Sequence, residues 1–192
     1  MFHSPITDPI KLRLNSLSEV TSKMVQNLER VRYFFGKLLS VEDFKDEQSY
    51  FLNRLRRHNR FLHGWGVVSG LGVSLSKGNE VVVSAGLAID CAGNEIAVAE
   101  PVRIPLASGK GPLFVAIRYE EKEVGPVPAV SEVEYSRIRE GAELVVLEVN
   151  PSTGHRGIGP GTAGCGQAHA LCLAKLTWHR SRWQVRKVKC GA

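Results

Sequence analysis

The sequence predicts an α+β protein with N-terminal helices over about 17–31 and 41–63, followed by an antiparallel β-sandwich or barrel-like domain. Two observations indicate this fold class. Apolar residues recur at helical spacing before residue 64 and with a period of two after it. In the second part, short apolar runs are separated by turn residues, which is typical of sandwiches and barrels. The corresponding domains are 1–64, an arm with a helical segment, and 65–192, the β-domain.

The first predicted helix rests on a short apolar stripe. Leu17, Val20, Met24, Leu28 and Val31 follow one another at spacings of 3, 4, 4 and 3. This helix either packs on its own domain or pairs with copies of itself. Packing on its own domain is favoured, because fewer than three heptads make a poor coiled coil.

The second predicted helix has clear end signals. Ser40 is an N-cap candidate, and Glu42 and Asp43 lie in the first turn, where the helix dipole favours carboxylates. Gly64 stands where a left-handed C-cap would fall. An apolar stripe on one face is formed by Phe44, Phe51, Leu55 and Leu62.

Short runs with a period of two follow the helix. The candidate strands are 67–74, 80–84, 87–90, 95–99, 102–106, 112–121, 142–149, 170–180 and 183–190. The last two predict a closing hairpin with its turn at Ser181 and Arg182. Two segments read as loops: 125–141, a proline-rich crossing with a helical turn around Tyr135, and the glycine-rich 151–167, which is predicted to be mobile.

The segment RRHNRFLHGWGVVSGLGV, residues 56–73, is dense in histidine and glycine and could be mistaken for an active site. On an α-helix His58 and His63 would point about 140° apart, so they are not expected to share a metal. Gly70 and Gly72 are expected to allow a kink or a close backbone approach in the first strand. No nucleophile–base or carboxylate–histidine set accompanies the segment. It therefore predicts a junction between helix and sheet, and the chain is not expected to be an enzyme.

The glycine-rich loop contains the pattern GxGxxG at Gly159, Gly161 and Gly164. A dinucleotide site requires this pattern directly after a strand and at the start of a helix. Here the preceding strand ends near Val149 and Pro160 lies inside the motif. We interpret the match as coincidental.

The best metal candidates are Cys165, His169 and Cys172, with Cys91 as a possible further ligand. Zinc sites use four nitrogen or sulfur ligands, commonly in closely spaced cysteine pairs. The spacing of Cys165 and Cys172 departs from that pattern, and Cys172 alternates with leucines as a core residue would. No cofactor is expected, and a structural zinc is left as an alternative.

The net charge of +6 is concentrated at the C-terminal end of the chain. The residues from Leu173 onward carry six positive charges and no acidic residue. These are Lys175, Arg180, Arg182, Arg186, Lys187 and Lys189. The segment is either a solvated strand face or a surface for a polyanion or an acidic protein.

The composition, 43% hydrophobic and 23% charged, is that of a folded protein and argues against wholesale disorder. The N-terminus lacks the apolar core of a signal peptide, and no apolar run reaches the roughly 18 residues of a membrane span. We therefore expect synthesis in the cytoplasm and no transmembrane segment.

A long motif in residues 32–73 resembles a family of bacterial proteins associated with phage-tail-like contractile injection systems. Its elements are an Arg-Tyr-x-x-Gly-Lys-Leu-Leu lead, an Asp-Phe pair, Glu-Gln-x-Tyr, His-Asn-Arg and Leu-His-Gly-x-Gly-Val-Val. The residues that carry the resemblance are Arg32, Tyr33, Gly36, Lys37, Leu38, Leu39, Asp43, Phe44, Glu47, Gln48, Tyr50, His58, Asn59, Arg60, Leu62, His63, Gly64, Gly66, Val67, Val68, Gly70 and Leu71. The segments 84–98 and 135–146 are similar to the same family.

The resemblance implies a non-enzymatic structural component of the injection particle, near the baseplate or its accessory shell. Its implied partners are other particle subunits and copies of itself, without nucleic acid. The particle would stay in the cell, dock on a membrane or be released. If subunits pack in rings, Tyr33, Phe34, Phe35 and Trp65 are candidate interface anchors, because aromatic residues dominate interface hot spots. The alternative is that the aromatic residues fill a groove between helix and sheet.

The other hypothesis for the whole protein is a metal-stabilised binding module with a basic C-terminal surface for a polyanionic partner.

Overall fold

The computed structural model describes residues 28–77, 79–107, 111–128, 133–153 and 164–188. The chain divides into two compact units, Met1–Phe51 and Leu52–Ala192. The described residues are mainly β-structure, with one α-helix, α1 (Val41–His58), that continues into a π-helical turn at Asn59–His63. The domain boundary expected between 64 and 65 stays a prediction.

The residues before α1 form a lead segment, 28–40, without regular secondary structure apart from one turn. The last four residues of the helix predicted over 17–31 are therefore not helical. The rest of that predicted helix, 17–27, lies outside the described residues.

The start of α1 agrees with the prediction. The backbone N–H of Asp43 donates to Ser40 Oγ at 3.2 Å, and the backbone N–H of Ser40 donates to Asp43 Oδ2 at 3.1 Å. This reciprocal pair is a capping box with aspartate in place of glutamate. The helix starts at Val41 because these bonds satisfy amides that have no partner within the helix.

The end of the helical run differs from the prediction in geometry, although it falls at the expected residue. The Gly64 N–H donates to the carbonyl of Asn59 at 3.0 Å, five residues back, which is the hydrogen bond of a π-helix. Gly64 has φ 78° and ψ −153°, so its φ is positive but it is not the left-handed cap that was expected.

Ten strands follow in the part of the chain that the structure describes, all paired antiparallel. They are β1 (Gly66–Gly70), β2 (Val73–Leu75), β3 (Glu80–Val83), β4 (Gly86–Ile89), β5 (Glu95–Val98), β6 (Val102–Pro105), β7 (Leu113–Pro128), β8 (Val133–Leu147), β9 (Leu171–His179) and β10 (Arg182–Lys187). They form three sheets with the orders β1-β4-β5, β2-β3-β6 and β10-β9-β7-β8. The predicted antiparallel β-domain is confirmed in this coarse sense.

The strand predicted over 67–74 is divided by a bend. Gly70 and Leu71 have φ of 62° and 53°, which ends β1, and the chain then enters β2 in a different sheet. A Cβ added to Gly70 would lie 2.0 Å from the carbonyl oxygen of Ala85, so only glycine allows the two backbones to approach this closely. The expected close approach is confirmed at Gly70. At Gly72 an added Cβ would make only an ordinary contact.

The prediction of an irregular loop at 125–141 is wrong. Most of this segment belongs to β7 and β8, which pair in register from Phe114 opposite Leu147 to Pro128 opposite Val133. Only the first part of β7 also pairs with β9. Within the described residues, Pro126 therefore lies where β7 pairs with β8 alone, a position that resembles an edge strand, where proline is tolerated. The helical turn expected around Tyr135 is also wrong, because Tyr135 belongs to β8 and pairs with Pro126.

The closing hairpin is present, but its turn is shifted by one residue. His179 pairs with Arg182, so the two-residue turn is Arg180–Ser181 rather than Ser181–Arg182. Both turn residues have positive φ, 49° and 59°, as in a type I′ turn. This turn type matches the right-handed twist of the strands.

One hydrophobic core is shared by strands of all three sheets. Its fully buried members include Val81 and Val83 of β3, Ile96 of β5, Ile117 of β7 and Leu176 of β9. No helix in the described part of the chain combines the length and apolarity needed to span a membrane.

Candidate functional site

The lead segment is held to the first turns of α1 by its polar side chains. Tyr33 donates its hydroxyl to the Glu47 carboxylate, and Lys37 Nζ lies 2.6 Å from Asp43 Oδ1. The hydrogen bond to Glu47 raises the pKa of Tyr33. The pKa of Asp43 is lowered, first by Lys37 and then by the backbone N–H of Ser40. Four polar residues of the resemblance motif thus serve to fix the course of the chain.

The aromatic residues between these anchors are exposed. Phe34 is 61% exposed, Phe35 is fully exposed, and Tyr33 is 45% exposed. Trp65 was also predicted to be an interface anchor, but it is 3% exposed and belongs to the hydrophobic core. An indole buried to this extent has almost no free surface, so only the first three candidates are exposed.

A buried polar turn between β4 and β5 receives the end of the helical run. Asp90, with no exposed surface, accepts hydrogen bonds from the backbone N–H groups of Ala92 and Asn94 and from Asn94 Nδ2, at 2.8–2.9 Å. Asn59 is also buried and donates its Nδ2 to the carbonyl of Gly93 at 3.0 Å. The turn thus presents a carbonyl to the helical run, and Asn59 of the His-Asn-Arg motif binds it.

A second contact joins the same turn to the end of the glycine-rich loop. The Gly166 N–H donates to the carbonyl of Cys91 at 3.1 Å, and Arg60 Nη2 donates to the carbonyl of Gly164 at 3.1 Å. Cys165 lies beside Cys91, and its Sγ is 3.0 Å from His169 Nε2. Burial is the main cause that raises the pKa of the Cys91 thiol to about 11, and the charge of Cys165 adds to it.

The predicted metal residues are brought together only in part. Cys165 and His169 are in contact, whereas Cys172 is buried in β9, where its N–H donates to Ser152 Oγ and its Sγ lies 3.9 Å from the carbonyl of Ala174. Within the described residues no group of three or more histidine, cysteine, aspartate or glutamate side chains is arranged to hold a metal ion. Structural zinc therefore stays a prediction.

The expectation that His58 and His63 diverge is wrong. Their Nε2 atoms are 3.2 Å apart, and both side chains are exposed. The reason is the π-helical turn, which adds a residue to the helical repeat and so places positions i and i+5 on one face. Sequence reasoning missed this pair because it assumed 100° per residue throughout the helical run.

A groove lies beside His63, where the helical run passes into β1. Its volume is about 450 Å³, and its lining includes Asn59, Trp65, Val67, Leu87 and Glu95. The walls are mainly apolar, and the carboxylate of Glu95 and the imidazole of His63 also line the groove. The groove can thus hold a small ligand or a side chain, with the imidazole and the carboxylate as its polar contacts.

The basic C-terminal segment is split by the closing hairpin. Lys175 pairs with Arg186 across β9 and β10, and Arg182 pairs with His179, so these side chains share the polar face of the hairpin. Lys187 pairs with Ala174 and belongs to the opposite face, while Arg180 is in the turn and Lys189 lies outside the described residues. Three of the six predicted cations therefore form one common surface.

Comparison with known proteins finds likeness among solved structures only. No protein-family model matches the chain, and no curated protein matches it. Similar structures include a crystal structure of TssK, at 12% identity with a TM-score of 0.45. Another is a cryo-electron microscopy structure of the TssK-TssF-TssG baseplate subcomplex of the type VI secretion system, at 12% identity with a TM-score of 0.48. Each match covers 83% of this chain. This chain in turn spans only 41% of the TssK chain and 60% of the chain from the subcomplex. The likeness concerns the course of the backbone.

Proposed function

We propose that the protein is a non-enzymatic assembly component of a phage-tail-like contractile injection system, located at the baseplate or its accessory shell. In this role it acts through interfaces with other particle subunits and with copies of itself. The sequence resemblance in residues 32–73 suggests the class of particle. The observation that carries the mode of action is the exposed apolar face of α1.

The face consists of the residues that the sequence pattern places on one side of the helix. Phe44, Phe51 and Leu55 are 52%, 54% and 50% exposed, and α1 contains no buried residue. An amphipathic helix ordinarily buries its apolar stripe, and a contiguous apolar surface of this kind marks an interaction site. Burial of each of these side chains by a partner would contribute roughly 1–2 kcal/mol.

The lead segment extends the apolar surface of its unit. Phe34, Phe35 and Leu38 expose 61%, 107% and 91% of their reference areas. The polar anchors Tyr33 and Lys37 hold the segment in one course, so its apolar side chains are presented without a large ordering cost on binding. A partner that covers α1 and the lead segment would therefore bind a preorganised surface.

The test is recovery with the particle. The tagged protein is expressed in its native cell, the cleared lysate is pelleted at high speed, and the pellet is examined by negative stain and mass spectrometry. We expect the protein on rod-shaped particles together with tube and sheath subunits. Its absence from pellets that contain such particles would contradict the assembly role.

A pair of matched variants tests whether the helix face carries the interaction. Phe51→Glu with Leu55→Glu places two charges on the apolar face, and Ser49→Glu with Asn53→Glu places the same charges on the opposite face. We expect the first variant to remain in the supernatant and the second to pellet as the wild type does. Equal recovery of both variants would contradict an interface at this face.

The polar face of the closing hairpin favours a second candidate, a binding module for a polyanion. Lys175, Arg182 and Arg186 share this face, and Lys175 Nζ also lies 5.7 Å above the Phe114 ring. Binding of inorganic polyphosphate, measured between about 50 and 200 mM salt, would fall steeply if several phosphates are neutralised. Binding that is unchanged by Arg182→Glu and Arg186→Glu would exclude this surface.

A further inference from the structure

The two histidines at the ends of the π-helical turn have no part in the assembly role proposed above. His58 and His63 are exposed, their ring centroids are 5.1 Å apart, and their planes are inclined by 59°. Their Nε2 atoms approach to 3.2 Å. This contact joins two metal-ligating side chains across a π-helical turn, and π-helical turns are frequent at functional sites.

The distance between the two nitrogens fits chelation of one metal ion. A Zn–N bond is about 2.0–2.1 Å long, so two imidazoles at the tetrahedral angle place their nitrogens about 3.3 Å apart, and at a right angle about 2.9 Å. The observed 3.2 Å lies between these values. Both rings would use Nε2, so both would carry their proton on Nδ1.

Three hydrogen bonds hold the backbone that carries the two rings. Asn59, next to His58, donates to the carbonyl of Gly93, and Arg60 donates to the carbonyl of Gly164. Gly64, next to His63, closes the π-helical hydrogen bond to Asn59. These contacts fix the backbone positions of the two histidines before any ligand binds, which lowers the ordering cost of chelation.

The two rings are exposed, which leaves the remaining coordination positions open. His63 lines the groove of about 450 Å³, and the exposed carboxylate of Glu95 lines the same groove. Two imidazoles suit Zn²⁺, Ni²⁺ and Cu²⁺, whereas Mg²⁺ and Ca²⁺ require oxygen ligands.

We propose that His58 and His63 form a two-imidazole chelate for a divalent transition-metal ion. In the isolated chain, water completes the coordination. The inference does not depend on the assembly role, because the site lies within one chain.

The test is metal binding by the purified full-length protein carrying Cys165→Ser and His169→Gln, which remove the neighbouring thiol and imidazole. Chelator-treated protein is titrated with Zn²⁺ by calorimetry. We expect His58→Gln and His63→Gln each to weaken binding roughly tenfold or more, since the second imidazole is then no longer held at the ion. The double variant should bind more weakly than either single variant, but by less than the two single losses combined, because one lost ligand already ends chelation.

A control and a spectroscopic signature complete the test. His179→Gln removes an exposed histidine from the end of β9 and should leave the affinity unchanged. With one equivalent of Cu²⁺, electron paramagnetic resonance should report two imidazole nitrogens in the parent protein and one in each single variant. A parent signal from one nitrogen, or equal losses of affinity in His179→Gln and His58→Gln, would overturn the proposal.

Folding of the variants is checked without metal by circular dichroism and thermal unfolding. If His63→Gln perturbs the π-helical turn, His58→Gln decides the question, because His58 lies in the regular part of α1. A folded His58→Gln protein with parental Zn²⁺ affinity would then contradict the chelate.

Discussion

At the scale of single residues, Asp90 is a buried polar side chain that organises the junction. It is fully buried and accepts three hydrogen bonds, two of them from backbone amides. Hydrogen bonds to a charged group contribute about 1.5–3 kcal/mol each, and buried donors left without acceptors are costly. Asp90 therefore shapes the turn that receives Asn59.

We expect Asp90→Ala to lower the free energy of unfolding by about 3 kcal/mol or more, because it leaves three donors, two of them buried on Asn94, without an acceptor. Asp90→Asn should cost less. Its amide can donate to Asn94 Oδ1, which accepts no hydrogen bond from the described residues, once the Asn94 amide rotates. Urea denaturation measures both values. Equal destabilisation by the two substitutions would contradict this account of the turn.

The cysteines of the junction should differ in reactivity. Cys91 is buried and its pKa is raised to about 11, so the reactive thiolate is scarce at pH 8, whereas Cys165 is exposed. We expect iodoacetamide at pH 8 to modify Cys165 well before Cys91 in the native protein, and both in urea. Peptide mass spectrometry over time measures the order. Faster modification of Cys91 would show that the turn opens readily.

At the scale of elements, the contact between α1 and the polar turn depends on Gly93. Its φ is 91°, and an added Cβ would lie 2.1 Å from the carbonyl oxygen of Arg56. Both the backbone conformation and the close approach therefore require glycine at this position.

Gly93→Ala is expected to lower the free energy of unfolding by at least about 2 kcal/mol, because the positive φ and the backbone contact both penalise a side chain. Gly141→Ala is the matched control, since a Cβ there would meet nothing within 4 Å. Thermal and urea unfolding of the two variants measures the difference. Similar stabilities would mean that α1 can move away from the turn at little cost.

The closing hairpin provides a stabilising test of its observed turn. Arg180 and Ser181 both have positive φ, a conformation that asparagine and glycine adopt more readily. Arg180→Asn with Ser181→Gly should raise the free energy of unfolding by about 1 kcal/mol, which corresponds to a few degrees in Tm. Scanning calorimetry measures the shift. The same change at Ser181 and Arg182, where the sequence had predicted the turn, should not stabilise the protein.

At the scale of the whole molecule, the exposed face of α1 bears on association. If copies of the chain cover this face, the purified protein should sediment as an oligomer whose proportion rises with concentration. Phe51→Glu with Leu55→Glu should be monomeric, and Ser49→Glu with Asn53→Glu should behave as the wild type. Sedimentation velocity measures all three. A monomeric wild type up to about 100 μM would assign the face to a different subunit.

The local features of the fold were predictable because their causes are local. Ser40 and Asp43 define the start of α1 by bonds within four residues, and alternation of apolar residues located most strands. The pairing of β7 with β8 across 125–141 was missed, because proline and glycine suggested a loop. Whether a strand can continue through Pro126 depends on which neighbouring strand pairs with it, and the local sequence does not contain that information.

The candidate site was foreseen only as a junction. His58, Asn59 and His63 were recognised as part of one motif, but Asn59 was not distinguished as the buried anchor, and the histidines were expected to diverge. Cys165 and His169 are four residues apart, so their contact could be expected from the sequence. The position of Cys165 beside Cys91 depends on where the end of the glycine-rich loop meets the turn after β4.

The sequence by itself determined the α-helix and its capped start, the change from helical to strand periodicity near residue 64, the closing hairpin and the distribution of charge. These depend on neighbours within a few residues. The tertiary structure alone decided the three-sheet arrangement, the long β7–β8 hairpin, the buried position of Trp65 and the π-helical turn that joins His58 to His63. The sheets, the hairpin and the position of Trp65 follow from contacts between residues far apart in the chain, whose energies no local pattern records. The π-helical turn is closed by a local hydrogen bond from Gly64 to Asn59, and Asn59 also binds the distant Gly93.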